Sequence, residues 1–218
     1  MSATETTTKP TSERILDAAE GLFATQGIRG TSLKEITEQA EVNIAAVNYH
    51  FRSKDALVRE VYQRCFQPLN AERLRLLEDA ESAAGEGSLA LEQVLYALFE
   101  PMVRAWQENR NFILLVGRLQ SEPDPHLNVF VQGLYGSLID RFLRAARRAA
   151  PDVAEAQLFF WIHFLFGGVV YTLINSQDME RMHPGQNLID TSDMFLQDLI
   201  SFGTAGLRSR SQFPVTRS

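Results

Sequence analysis

One cysteine, Cys65, is all that 218 residues carry, so an intramolecular disulfide is excluded. No charged segment followed by an apolar stretch opens the chain, and together these absences make the cytoplasm the expected compartment. The longest apolar run, Leu158 to Ile174, is shorter than the roughly 20 residues that cross a bilayer and contains His163. A buried helix is expected there instead. Positive charge is also in deficit, with 21 Lys and Arg against 27 Asp and Glu for a net −6. That balance excludes a generally basic nucleic-acid coat, so any DNA contact must come from a local surface of favourable charge. Catalytic machinery is missing as well. His50, His126, His163 and His183 show no metal-ligand spacing, Cys65 falls on a predicted helix, and there is no phosphate-binding glycine loop or nucleophile elbow. The chain is expected not to be an enzyme and to need no metal or cofactor. Strand alternation and internal repeats are lacking too.

What is present is helical periodicity in a chain that is 45% hydrophobic, enough for one ordinary domain and a small one. Residues 1–10, rich in Thr and without large apolar side chains after Met1, form an expected disordered tail; a second loose tail covers 211–218. From Thr11, the residues Ile15, Leu16, Ala19, Leu22 and Phe23 recur at helical spacing, and Gly27 and Gly30 bracket a break after Gln26. Ser32 with Glu35 forms a capping-box pattern, and Leu33, Ile36 and Ala40 give one apolar stripe to a second, short helix. In a third short helix Val42, Val47 and Phe51 face inward while Ile44, Ala45, Asn48 and Tyr49 stay outward. Ser53 then caps a long fourth helix carrying Leu57, Val58, Val61, Tyr62, Leu69 and Leu74. The acidic, Ala/Gly-rich stretch Asp79 to Ser88 reads as a connector. Further helices are expected over Leu89–Glu108, Asn111–Gln120, His126–Ala149, Val153–Asn175 and Ser192–Arg208. Pro101 should kink the first of these, Pro123 and Pro125 break the chain, and Asp152 with Glu155 resembles a capping box. The expected fold is all-α, with a three-helix helix-turn-helix domain at 11–57 (motif about 32–51) and a larger helical ligand-binding and dimerisation domain at 58–210.

Two short helices joined by a tight turn, the second presenting small and polar residues outward, are the parts of a helix-turn-helix reader. The runs Thr31-Ser32-Leu33-Lys34-Glu35-Ile36, Ala40-Glu41-Val42, Ala46-Val47-Asn48-Tyr49-His50-Phe51 and Ser53-Lys54-Asp55-Ala56-Leu57 follow Ile15-Leu16-Asp17-Ala18-Ala19 and Leu22-Phe23. In that order and spacing they resemble the TetR family over about residues 12 to 62; beyond, the match is in length and helical character. The resemblance implies a cytoplasmic, ligand-responsive transcriptional regulator: a repressor that binds a palindromic DNA operator as a homodimer and is released by a small apolar effector. The rival is an all-helical ligand-binding or interaction protein without DNA binding.

Residue by residue, the resemblance places Tyr49 and His50 against the DNA backbone, with Thr31 as a further contact. No acidic residue lies between Val42 and Lys54, whereas His50, Arg52 and Lys54 are all cationic or can be. Lys54 at a helix start opposes the macrodipole, so a phosphate contact competes with a solvated lysine as its reading. Base reading falls to Ile44, Ala45, Ala46 and Asn48, with Asn48 suited to adenine and the apolar side chains to thymine methyls. Asn43 either caps the third helix or joins them. One departure is Glu41, where the family usually has glycine. Either the turn is altered or a left-handed Glu41 carries roughly 1 to 2 kcal/mol of strain.

The segment Leu158 to Tyr171 is apolar all round its helix and needs two covers: its own domain and a partner subunit. TetR relatives dimerise through their last two long helices, and Gly167, Gly168, Gly203 and Gly206 would permit close approach there. Met102, Trp106, Phe112, Phe130, Leu134, Phe159, His163 and Phe166, with Phe99 and Leu115, are candidates to line an apolar effector pocket, His163 as its polar anchor; the competing reading is plain core. The segments Phe160–Gly167 and Ala46–Phe51 resemble the branch that senses fatty acids or acyl-CoA thioesters. Arg141, Arg144, Arg147 and Arg148 are the one cluster that could meet CoA phosphates, and more simply form a solvated helix face. Ligand binding is expected to repack the pocket and move the fourth helix as a lever.

Overall fold

A computed structural model describes residues 9–122, 124–182, 184 and 192–208. The expected tails at 1–8 and 211–218, the break at Pro123, and His183 lie outside these residues. Ten helices are present among them: α1 (Thr11–Gln26), α2 (Leu33–Gln39), α3 (Ile44–Phe51), α4 (Lys54–Ala84), α5 (Leu91–Glu108), α6 (Arg110–Ser121), α7 (Pro125–Ala149), α8 (Glu155–Ile174), α9 (Ser176–Met182) and α10 (Ser192–Arg208).

Local signals start most of these helices. Ser32 accepts from the Glu35 amide while the Glu35 carboxylate accepts from the Ser32 amide, a complete capping box worth about 1 kcal/mol. Asn43 and Ser53 cap α3 and α4 by accepting from Ala46 and Ala56, and Asp124 caps α7. The N-terminal unit closes around Ile15, Phe23, Ile36, Val47 and Leu57, all with no exposed surface. α4 leaves it and packs on α5 and α7; α8 packs on α6 and α7, and α10 lies across α5.

Three expectations fail here. Asp79–Ser88 is not a connector: α4 continues to Ala84, because an alanine-rich stretch favours helix and Glu81 there is gripped by Arg141 of α7. The division at 57/58 lies within this helix, as the expected long fourth helix already implied. The Asp152–Glu155 box does not form; α8 starts after Ala154 with no side-chain cap. α9 has no counterpart among the expected helices, since it is short, polar and buries no residue. α8 itself runs for 20 residues, long and apolar enough to cross a membrane. In this fold its Leu158, Leu165, Val169, Val170 and Leu173 are instead buried against neighbouring helices.

Candidate DNA interface and effector cavity

α3 carries a clean division of faces. Val47 and Phe51 are buried, whereas Ile44 is 49% exposed and Tyr49 83%, with Ala45, Asn48 and His50 also exposed. The Tyr49 and His50 rings meet edge-on at 5.1 Å, so the phenol is propped at the outer end of the helix. Half-buried Ala46 packs against the core and is a lesser part of this face than expected. Asn43 spends its side-chain oxygen on the Ala46 amide at 2.9 Å, leaving only its amide nitrogen for another partner.

Two residues expected to contact the DNA backbone have partners within the chain. Thr31 is 2% exposed and its hydroxyl donates to the Gly27 carbonyl at 2.8 Å, closing the α1–α2 loop rather than facing solvent. Lys54 is neither solvated nor free: its ammonium donates to the Ile28 and Thr31 carbonyls, each at 2.5 Å. Those two oxygens supply the negative potential that the start of α4 withholds. With three protons on the nitrogen, one remains for an outside acceptor.

The turn keeps its left-handed geometry. Glu41 sits at φ 52°, and Arg14 of α1 reaches across to hold it, donating to the Ala40 carbonyl at 2.5 Å and the Glu41 carbonyl at 3.1 Å. A weaker contact runs to the Glu41 carboxylate at 3.4 Å. The strain is thus braced from a second helix, with no change of turn type.

In the C-terminal domain α4, α5, α6, α7 and α8 line a partly open cavity of about 400 Å³, with Phe159 and His163 at its exposed side. Phe159, His163 and Phe166 line it as expected. The other five candidates do not: Met102, Trp106 and Phe112 are packed into solid core, half-buried Phe130 lies under the Arg59 guanidinium, and half-buried Leu134 packs against the core and offers its carbonyl to Asn70. Phe99 and Leu115 are likewise fully buried core. Helical periodicity reports that a side chain faces inward, and a void and a filled core share that signature. His163 points Nδ1 at the Phe159 carbonyl at 2.8 Å, which places a proton on Nδ1. Sequence reasoning missed the polar members, Arg73, Gln120, Gln132 and Tyr135. Arg73 sits in a strongly charged stretch of α4 that reads as surface, so only its tertiary contacts reveal it.

The two regions are bolted together. Arg118 of α6, beside cavity-lining Val116 and Leu119, donates to the Ala24 carbonyl at 3.2 Å and the Thr25 carbonyl at 2.7 Å at the end of α1. Arg64 of α4 pairs with Asp17 at 2.8 Å and Glu20 at 2.5 Å, and Asn109 donates to the other oxygen of buried Glu20. Against the opposing effect of burial, hydrogen bonds and charge from Lys9 and Arg64 together hold the Asp17 carboxyl below its ordinary range. Neighbouring Cys65 is pushed up to about 12 by burial, so its thiol stays protonated.

A second unfilled surface runs along α8 and α10. Phe160, Phe164 and Tyr171 share one stripe of α8 and are 71%, 70% and 64% exposed; Phe202 of α10 is 66% exposed. A shallow groove between them is lined by Leu165, Gly168, Val169, Phe195 and Leu199. Gly167 and Gly168 lie open there, whereas Gly203 and Gly206 face the inside of the chain: a methyl at Gly203 would meet Leu165, Leu95 and Trp161 at 3.2 to 3.4 Å. On α7, Arg144, Arg147 and Arg148 are exposed, as expected of a solvated face, and Arg147 and Arg148 also reach Glu155 and the Gly85 and Gly87 carbonyls; half-buried Arg141 departs from it by pairing with Glu81.

Known proteins share this organisation. Residues 15–61 match the family described as bacterial regulatory proteins, tetR family, and residues 96–206 match the tetracyclin repressor-like C-terminal domain. The chain is 30% identical over 99 residues to the "Probable HTH-type transcriptional regulator YttP" of Bacillus subtilis (strain 168), covering 45% of this chain and 44% of that one. It is 34% identical over 58 residues to the biofilm operon icaADBC HTH-type negative transcriptional regulator IcaR of Staphylococcus aureus (strain Newman), covering 27% of this chain and 31% of that one. The match thus spans less than half the length of either relative. In fold it is similar to the TetR family transcriptional regulator PfmR of Thermus thermophilus, with a TM-score of 0.59, 20% identity, and coverage of 92% of this chain and 97% of that one. With a reading unit at one end, a cavity at the other, and a family match that alone takes in more than half of the chain, this protein belongs to the TetR family.

Proposed function

We propose that this chain is a cytoplasmic transcriptional repressor that binds a palindromic operator as a homodimer and lets go when a small, largely apolar effector fills the C-terminal cavity. The observation that carries the reading is α3: a capped, buried-backed helix whose other face offers Ile44, Ala45, Asn48 and Tyr49 to solvent. An exposed isoleucine beside an asparagine and a tyrosine matches thymine methyls, an adenine edge and a phosphate respectively. Tyr49 and His50, the amide of Asn43 and the third proton of Lys54 supply donors around them. The negative regulator IcaR among the relatives favours repression.

A homodimer follows from the α8–α10 stripe, since aromatic side chains this exposed on adjacent helices form the kind of patch that soluble chains cover. A second copy is the occupant that also sets two reading heads at operator spacing. Coupling runs through α6: a ligand that displaces Val116 and Leu119 moves Arg118 and with it the end of α1. α4 is the second route, through Arg64.

The test is a mobility-shift titration on the promoter DNA adjoining the gene. The dimer should retard a palindromic fragment with an affinity that falls steeply with salt, and Tyr49→Ala should weaken it by about 1 to 3 kcal/mol. A pure dimer that ignores every such fragment at low salt sinks the reading in favour of a ligand-binding protein without DNA.

A further inference from the structure

The cavity holds a cation with no counterion. Arg73 is 2% exposed on α4; its Nε donates to the Leu98 carbonyl at 2.8 Å and its Nη1 to Asn70 at 3.3 Å. Nη2 is buried without any partner. The titratable neighbour beside it is the Tyr135 phenol, which burial pushes well above its ordinary range, so it stays neutral and able to donate. Both residues line the same cavity, whose other walls, such as Val131, Leu138 and Phe142, are apolar. A buried guanidinium keeps its charge, and leaving one of its faces unsatisfied in an apolar hollow is a large penalty that a bound anion removes.

We infer that the effector is an apolar-bodied carboxylate whose acid group pairs with Arg73 and accepts from Tyr135, its hydrocarbon part lying against the apolar wall. The inference rests on reading this cavity as the effector site. A planar, bidentate acceptor fits the open face of a guanidinium better than a hydroxyl or ester does, which carry no charge to match it. A thioester of the same acid is excluded from this contact because esterification removes the anion at that position. His163 also lines the cavity, with Nδ1 already donating to the Phe159 carbonyl.

The experiment is calorimetric titration of the full chain with hexanoate, decanoate and phenylbutyrate, against decanol and decanoyl-CoA, repeated on Arg73→Met and Arg73→Gln. At least one acid should bind the wild-type chain, its matched alcohol more than about tenfold more weakly, and both variants should lose that preference while remaining folded by circular dichroism. Equal binding of decanol and decanoate, an acid preference that survives in a folded variant, or no binding by any acid would each overturn the inference. The titration contains no DNA, so its failure leaves the operator experiment standing, and failure of the operator experiment leaves this one intact.

Discussion

Lys54 in the first turn of α4 and Arg73 further along the same helix both carry positive charge inward, and the two regions around them treat it differently. At the reader end Lys54 is closed onto two carbonyls, Arg14 braces the Glu41 turn, and Arg64 meets the carboxylates of α1. At the cavity end Arg73 has a bare nitrogen. Among the described residues the three buried side-chain polar atoms without partners, Arg73 Nη2, Glu100 Oε2 and Glu122 Oε2, all lie outside α1–α3. The contrast separates a surface prepared in advance, which loses little order when it docks, from a site left incomplete until a ligand finishes it.

The largest expected effect breaks the arrangement of both regions at once. Phe164→Glu places a carboxylate in the exposed α8 stripe, and two-fold symmetry brings two of them together. Like charges there cost several kcal/mol, so sedimentation should show monomers and operator affinity should fall by more than about a hundredfold. A dimer that persists moves the interface elsewhere.

Next comes a pair of substitutions with opposite signs. Lys54→Met strips donors from Ile28 and Thr31 and should destabilise the ligand-free protein by about 1 to 3 kcal/mol in urea unfolding. Arg73→Met removes a buried charge that has no counterion and should stabilise it, by about 1 to 4 kcal/mol. If both substitutions destabilise, the two regions are not different in kind.

Much of the reader is legible in the sequence because its signals are local: Ser32 with Glu35, Asn43 and Ser53 each act within three residues, and the exposure of Ile44 follows from Val47 and Phe51 filling the inward stripe. Lys54 escapes sequence reasoning for the complementary reason, since its partners at Ile28 and Thr31 are set by how α4 returns to the α1–α2 loop, within which the Thr31 hydroxyl turns back onto Gly27. The cavity is the least legible part. Phe159, His163 and Phe166 lie on it while Met102, Trp106 and Phe112 do not, although all six belong to apolar helical stretches that read alike.

A smaller effect sharpens how the regions communicate. Arg118→Ala removes the hydrogen bonds from α6 to Ala24 and Thr25 while leaving α3 and the cavity wall in place. Operator affinity without effector should change little, and the weakening caused by effector should shrink by about 1 to 2 kcal/mol of coupling. An undiminished response assigns the coupling to Arg64 and α4.

The smallest effect concerns Glu41, one of two non-glycine residues that the reader holds at positive φ, the other being Arg52 at 67° after α3. The φ of 52° at Glu41 costs an L-residue roughly 1 to 2 kcal/mol, and glycine relieves that while adding about 0.5 to 1 kcal/mol of unfolded-chain entropy. The lost ion pair to Arg14 is exposed and 3.4 Å long, worth little, while the stronger bonds from Arg14 go to carbonyls that glycine retains. Glu41→Gly should therefore stabilise the protein by about 0.5 to 1 kcal/mol. It also removes a negative charge beside α3, so operator affinity should rise modestly and most visibly at low salt. If stability rises and affinity does not, the carboxylate lies outside the reach of the phosphates and Glu41 is a feature of the turn alone. If affinity falls, the left-handed glutamate itself contacts DNA, and the reader would then hold a strained residue for binding just as the cavity holds a bare cation.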